Sequence, residues 1–187
     1  WVSSVAFWYQ YPPATTDEPF PPLAERVPPC KMMMAAEMPF RADPPLLVVP
    51  MEPALIYSPN IRTGKLEFDF EVEEDGRYRL DGAFMFSLMS GVYQPHLNGT
   101  AIGGPIDFGA KGMDPVWVHL DTHNLKAGMQ TITFTGVDQP SRFWRALSPA
   151  RDGIGVIGFR LTRLDTLEGF QKALKQEREK QALQAQP

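Results

Sequence analysis

A regular alternation of apolar and acidic residues begins just after Gly64, in the stretch GKLEFDFEVEEDG. Its apolar positions are Leu66, Phe68, Phe70 and Val72, and the acidic positions are Glu67, Asp69, Glu71 and Glu73. Successive side chains of a strand point to opposite faces, so a period of two predicts a strand that is buried on one face and solvated on the other. The sequence EEDG then predicts a turn.

Further turn signals divide the rest of the chain into short strands. The predicted strands start near residue 78, cover 92–97, 101–107, about 116–120 and 131–135, and end with 156–164. Asn98–Gly99 predicts a tight hairpin, because both residues tolerate positive φ. Ile132 and Phe134 are expected on one face of their strand and the neighbouring threonines on the other. Seven or eight short strands with regular turns predict an all-β fold, an antiparallel β-sandwich or jelly roll.

The two ends of the chain have a different character. Thirteen of the 19 prolines precede Ile61, whereas no glycine precedes Gly64. Proline pairs block helices and favour extended backbone, so residues 31–60 are predicted to form a proline-rich linker that wraps a folded surface. Residues 1–30 are predicted as a strand and strap of a preceding domain, and 61–165 as the sandwich. Asp165 and Glu168 form a capping box that predicts a short C-terminal helix and tail over 166–187.

Composition excludes several classes of protein. The net charge of −4 and the absence of a basic stripe argue against a nucleic-acid partner. No apolar run approaches the roughly 18 residues that a membrane span needs. Cys30 is the only cysteine, so neither a disulfide framework nor a thiolate-rich metal site is expected. No phosphate-binding loop, nucleophile elbow or zinc-protease helix is present, and the sequence predicts no cofactor and no catalytic residue.

The segment VWVHLDTH holds the first candidate site. On a regular strand, Trp117, His119, Asp121 and His123 share one face. We interpret Trp117 as a platform for a sugar ring, with His119 and Asp121 as hydrogen-bonding partners. A weaker hypothesis uses His119, Asp121 and His123 as metal ligands. The alternative is an ordinary solvated face of a sandwich strand.

A second candidate is the long loop over 138–152, DQPSRFWRALSPARD. Arg142, Trp144 and Arg145 could stack on and hydrogen-bond to a saccharide or a protein surface, and long loops on a rigid scaffold often carry binding residues. The alternative is that Phe143 and Trp144 fold back and close one end of the sandwich. The acidic row from Glu67 to Glu73 is a poor candidate for glycosidase chemistry, because nothing in the pattern buries one carboxyl group to raise its pKa.

Two parts of the chain resemble known protein domains. SSVAFWYQYPP and EPFPPLAERVP, within residues 3–28, resemble the closing segment of the catalytic domain of glycoside hydrolase family 172. The later stretches GRYRL, GVYQPHLNGTAIGG, LKAGMQTITFTGV and GIGVIGFRLTRL resemble galactose-binding-like sandwiches appended to such enzymes. The resemblance implies that the acidic residues of the catalytic domain lie outside this chain. We therefore expect the chain to be a fragment or a processed product of a larger protein.

The sequence thus predicts a non-catalytic C-terminal accessory module of a bacterial glycoside hydrolase. Its expected partners are a carbohydrate, the parent catalytic domain or a neighbouring subunit, and a homo-oligomer is left open. A structural module without a ligand is the main alternative, and the activity of the parent hydrolase is another. The parent is expected to be secreted or periplasmic.

Overall fold

Two antiparallel sheets face each other across an aromatic core. The structure, a computed structural model, describes residues 29–45, 48–51, 53–59, 63–138 and 152–165. The first sheet has the strand order β10-β6-β12-β4-β3, and β1 also pairs with β12. The second has the order β2-β5-β11-β7-β8, and β9 also pairs with β7. The predicted antiparallel β-sandwich is confirmed.

The strands of each sheet are as follows. The first sheet contains β1 (Cys30–Met34), β3 (Val48–Met51), β4 (Ala54–Tyr57), β6 (Gly76–Phe86), β10 (Asp114–Leu125) and β12 (Ile154–Arg163). The second sheet contains β2 (Phe40–Asp43), β5 (Lys65–Val72), β7 (Val92–Leu97), β8 (Thr100–Ala101), β9 (Ile106–Asp107) and β11 (Gly128–Gly136). A single 3-10 turn, Ala35–Glu37, carries the chain from β1 in the first sheet to β2 in the second. No helix in the described residues is long and apolar enough to cross a membrane.

Alternation places the predicted side chains correctly in the second sheet. All four apolar positions of β5 are buried, and Ile132 and Phe134 of β11 are fully buried beside them. The strand β11 lies between β5 and β7, so Phe134 is aligned with both Leu66 and Pro95. The outward threonines of β11 face the acidic residues of β5. The hairpin at Asn98–Gly99 is also confirmed, with φ of 50° and 80°.

The predicted linker over 31–60 is wrong. Residues 30–34, 40–43, 48–51 and 54–57 form β1 to β4, which pair with β12, with β5 and with each other. Proline does not prevent this, because most of the prolines here lie between strands. Pro50 is in β3, which among the described strands pairs with β4 alone and lies at the sheet edge, where a missing backbone donor costs little. Within the described residues, the sandwich therefore includes the strands from Cys30 onwards and is not limited to residues after 60.

Two other boundaries differ from the prediction. The returning strand over 101–107 is split into β8 and β9, because Gly103, Gly104 and Pro105 interrupt it, and Gly103 has a φ of 55°. The C-terminal helix and tail over 166–187 lie outside the described residues, as does all but the end of the strand and strap predicted over 1–30, where Cys30 is the first residue of β1. Asp165, predicted to cap that helix, accepts hydrogen bonds from the Arg77 backbone and the Arg163 side chain.

The core is a cluster of phenylalanine rings contributed by both sheets. Phe84 is central, with ring centroids 4.8 Å from Phe108, 5.4 Å from Phe134 and 6.3 Å from Phe159. Interlocked aromatic packing of this kind fixes the separation of the sheets and the register of β6. It therefore provides a rigid base for the outer faces of both sheets.

Candidate functional site

The predicted ligand patch lies on β10, an edge strand of the first sheet. Trp117 is aligned with Ala83 of β6, and His119 is aligned with Asp81. Directly opposed residues of an antiparallel pair project to the same face, so these four side chains share the outer face. Leu120 is buried on the opposite side, as the alternation predicts. Trp117 is 49% exposed, an unusual state for the largest apolar side chain.

A β-bulge breaks the predicted alignment further along β10. The register with β6 shifts between His119 and Thr122, and Asp121 has a φ of 71°. Beyond the bulge, His123 is aligned with the buried Tyr78 and no longer shares the face of Trp117. Its Nε2 donates a hydrogen bond to the Leu120 carbonyl oxygen at 2.7 Å. The prediction that His119, Asp121 and His123 line up on one face is therefore wrong.

The bulge also separates the three side chains of the metal hypothesis. A metal site needs its donor atoms to converge on one point. Within the described residues, no group of three His, Cys, Asp or Glu side chains is arranged to hold a metal ion. His119 bonds to Asp81, while His123 bonds to a backbone carbonyl, so their ring nitrogens serve separate structural contacts.

Substitutions at Asp121 test the bulge. Because the backbone of Asp121 is in the left-handed region, we expect Asp121→Val to lower the free energy of unfolding by about 1–2 kcal/mol. Asp121→Gly should change it by less, since glycine favours this φ but loses the 2.8 Å bond from the Thr122 amide to the carboxylate. Urea denaturation of both variants gives the comparison. Equal costs for valine and glycine would contradict the assigned backbone conformation.

A buried carboxylate that the sequence pattern alone does not reveal lies next to Trp117. Asp81 of β6 is 2% exposed although it belongs to the outer face. Its Oδ1 accepts from Arg79 Nε at 3.0 Å and lies 3.0 Å from His119 Nδ1. Its Oδ2 accepts from Arg160 Nε at 3.2 Å and Nη2 at 3.0 Å. Three strands thus bring their polar side chains to one acidic group.

These contacts keep Asp81 ionised. Burial by itself raises the pKa of this carboxyl group, but the hydrogen bonds from His119, Arg160 and Arg79 outweigh it and leave the pKa below its ordinary value. The side chains of the three partners are 37% to 50% exposed, which limits their effect on stability. The main consequence is geometric, because a charged Asp81 fixes the directions of both guanidinium groups.

The pH dependence of stability should reveal this carboxylate. The pKa of Asp81 is lower in the folded protein than in the unfolded chain, where it is about 4. The ionised carboxylate therefore stabilises the fold fully above the unfolded pKa, and this stabilisation is lost as the pH falls through the folded pKa. We expect the stability difference between wild type and Asp81→Asn to shrink as the pH is lowered from 6 to 2. Thermal melts of both proteins at several pH values measure it. A difference that is constant over this range would contradict the assignment.

Arg160 connects the carboxylate to the tryptophan. Its guanidinium carbon lies 4.8 Å from the centre of the Trp117 ring, in a cation–π arrangement. The row that contains Trp117 continues with Ala83 and Gly158, so small residues leave room for the indole to lean over β6 towards β12. Arg160 therefore packs against the indole ring, and its ion pair with Asp81 holds the guanidinium group in that position.

The same outer face continues onto β1. Met32 is aligned with Arg160 and Met34 with Gly158, and both methionines are exposed. Met33 between them points into the core and is buried. The triple methionine therefore has two roles, since one side chain packs inside and two extend the apolar part of the outer face. We call the surface formed by Trp117, Arg160, Asp81, His119 and Met32 the tryptophan face.

Two small cavities open along the edge of the sandwich, where β10 faces the hairpin that follows β7. The first, of about 320 Å³, is lined by Val118, Leu120 and Ile102 and also by His119 and Asp121. The second, of about 280 Å³, includes His123 and Asn98. The bulge thus divides the predicted site residues between the tryptophan face and this edge.

The outer face of the second sheet has a polar groove of about 460 Å³. Arg41 pairs there with Asp69, and Lys65 pairs with Glu67 at 2.8 Å. Hydrogen bonds from Lys65 keep the pKa of Glu67 low, and those from Arg41 do the same for Asp69. A general acid needs the opposite shift. Among the described residues, no Trp, Tyr or Phe lines this groove.

The second candidate from the sequence is not tested by the structure. Arg142, Trp144 and Arg145 lie outside the described residues, as does most of the 138–152 loop. The role of this loop stays a prediction.

Comparison with known proteins identifies the fold. No protein-family model and no curated protein matches the sequence. A xanthan lyase from Paenibacillus has a similar structure, with a TM-score of 0.57 and 17% identity over 71% of this chain and 13% of that chain. A family 35 carbohydrate binding module from Clostridium thermocellum gives a TM-score of 0.46 and 13% identity, over 71% of this chain and 97% of that module.

A third neighbour is the CBM36-1 domain of a multidomain xylanase from the hindgut metagenome of Trinervitermes trinervoides. It gives a TM-score of 0.48 and 10% identity, over 71% of this chain and 96% of that domain. At 17% identity, the likeness to the xanthan lyase establishes a shared fold and nothing beyond it. The chain corresponds to only a small part of the xanthan lyase.

Proposed function

We propose that this chain is a non-catalytic accessory module that binds a saccharide on the tryptophan face. The observation that carries the proposal is the exposed indole of Trp117, braced by Arg160 and surrounded by polar groups. The C–H faces of a sugar ring suit an aromatic plane, while fixed polar groups beside the plane satisfy its hydroxyl groups. The interpretation of Trp117 and His119 as ligand-binding residues is retained, and Arg160 joins them.

The polar groups beside the ring are held in place before any ligand arrives. His119 and Arg160 both bond to Asp81, which is buried and cannot turn away. Preorganised donors reduce the entropy that binding costs. An open sheet face still covers only one side of a sugar ring. We therefore expect weak affinity for a monosaccharide and stronger binding to a longer saccharide.

The larger protein is proposed to be a carbohydrate-active enzyme. The resemblance of residues 3–28 to glycoside hydrolase family 172 supports a hydrolase of that kind, although these residues lie outside the described part of the chain. The xanthan lyase neighbour gives a parallel, since the matched domain is only 13% of that enzyme. Hydrolysis of a glycoside by residues 1–187 alone would contradict the non-catalytic assignment.

A docking role is the second candidate, and the methionines favour it. Met32 and Met34 extend the tryptophan face with exposed apolar surface, and Trp, Met and Arg are enriched at protein interfaces. The occupant would be the parent catalytic domain or a neighbouring subunit. In that case Met34→Ser should weaken assembly with the parent protein, whereas saccharide binding should depend on Trp117 and tolerate Met34→Ser.

Affinity electrophoresis tests the proposed function directly. The 187-residue chain is run through native gels that contain one soluble polysaccharide each, covering neutral, carboxylated and sulfated chains, with serum albumin as a non-binding reference. We expect retardation in at least one gel, with no loss of the ligand's chain length during incubation. Mobility equal to that of the reference in every gel would contradict saccharide binding.

A further inference from the structure

Three arginines project from neighbouring strands onto the outer face of the first sheet. In GRYRLDG, the side chains of Arg77, Arg79 and Asp81 alternate with those of Tyr78 and Leu80, which point into the core. Arg160 of β12 is aligned with Asp81. Within the described part of the chain, Asp81 is the only carboxylate that pairs with Arg79 or Arg160.

The pairing with Asp81 leaves donors available. In hydrogen bonds to described residues, Arg79 uses only its Nε, and Arg160 uses its Nε and one Nη2 hydrogen. A guanidinium group has five N–H donors, so each arginine keeps several that are aimed away from the buried carboxylate. Their directions are fixed, because the two arginines bond to opposite oxygens of the same group.

The local charge contrasts with that of the whole chain. The guanidinium groups of Arg79 and Arg160 and the carboxylate of Asp81 leave this patch at +1, although the chain carries −4. Asp121, the nearest acidic residue of β10, lies at the bulge and borders the edge cavity. A fork of oriented donors beside an aromatic plane is suited to a planar or tetrahedral oxyanion carried by a ring.

We propose that the tryptophan face selects saccharides that carry an anionic substituent, a carboxylate or a sulfate ester. This inference rests on the proposed function and names its ligand class. The sugar ring stacks on the open side of Trp117, and its anionic group binds the free nitrogens of Arg160 and Arg79. Asp81 is then a positioning residue, which holds the two guanidinium groups and does not contact the ligand.

Matched pairs of polymers test the charge requirement. One pair is polygalacturonate and its fully methyl-esterified form, and the other is dextran sulfate and dextran. We expect each anionic member to bind at least about tenfold more tightly than its neutral partner, in line with the strength of a charge-assisted hydrogen bond. If just one of the two anionic polymers binds, that result identifies whether the recognised group is a carboxylate or a sulfate.

Variants separate specific recognition from general attraction. Arg79→Gln and Arg160→Lys should each weaken binding of the anionic polymer about tenfold. Lysine keeps the charge at 160 but loses the fork, and Arg79 is half exposed, so both proteins should fold. Arg41→Gln is the control, since Arg41 is an exposed, carboxylate-paired arginine on the other sheet. Asp81→Asn should also weaken binding of the anionic polymer. It should change the salt dependence of binding less than Arg79→Gln does, because Asp81 does not contact the ligand.

The possible results are distinct. Equal binding of charged and neutral polymers that requires Trp117 would overturn the anionic preference and leave saccharide binding intact. An anionic preference that Arg41→Gln reduces as much as Arg79→Gln would show nonspecific attraction and also overturn it. Absence of binding to all four polymers and to every gel of the wider panel would overturn the proposed function itself.

Discussion

Replacing Phe84 with alanine is expected to lower the free energy of unfolding by about 3–5 kcal/mol. Phe84 is 0% exposed and contacts Phe108, Phe134 and Phe159, so the substitution removes ring contacts from both sheets at once. The cavity left behind cannot collapse easily, because the surrounding rings are held by their own strands. Urea denaturation of wild type and variant measures the loss.

Phe40→Ala is the matched control for this prediction. Phe40 is 41% exposed and lies at the sheet edge on β2, with its ring centroid 6.4 Å from that of Phe68. The same chemical change there should cost less than half as much as in the core. Similar losses for the two variants would show that the aromatic cluster is not the centre of the fold.

Replacing Trp117 with alanine is expected to weaken saccharide binding about 30-fold, which corresponds to about 2 kcal/mol. Trp117 supplies the only large aromatic plane on the described part of the tryptophan face, so the substitution removes the stacking surface. Trp117→Phe should retain part of the affinity, because a smaller plane remains. Calorimetric titration with the best ligand of the polysaccharide panel gives the affinities.

Met129→Ala controls for the removal of exposed apolar surface. Met129 is 64% exposed and belongs to β11 of the second sheet. It should leave the affinity unchanged. The stability of Trp117→Ala should also stay close to that of wild type, since half of the side chain is already exposed. Full affinity in Trp117→Ala would exclude the tryptophan face as the binding site.

The sequence was sufficient to predict those strands whose pattern is local. β5, β7 and β11 were placed by alternation and by the Asn98–Gly99 turn, because each signal is contained within a few residues. β1 to β4 lie where the density of prolines predicts a linker. Whether a proline disrupts a strand depends on which backbone groups are paired, and Pro50 lies on an edge strand.

The position of the candidate site follows from the sequence only where the strand alternation is regular. Trp117 and His119 were assigned to the correct face because the first half of β10 is regular. The bulge at Asp121 depends on the pairing with β6 and has no signal in HLDTH itself. Asp81 was missed because its importance arises from side chains on β10 and β12, 38 and 79 residues away in the sequence.

Two-dimensional ¹H–¹⁵N NMR during a saccharide titration tests the central claim most directly. The indole signal of Trp117, assigned with Trp117→Phe, and the guanidinium signal of Arg160 should shift in a saturable manner. Amide signals of Thr131 and Thr133, in the groove of the second sheet, should stay in place. Saturable shifts confined to that groove, with Trp117 unchanged, would contradict the account.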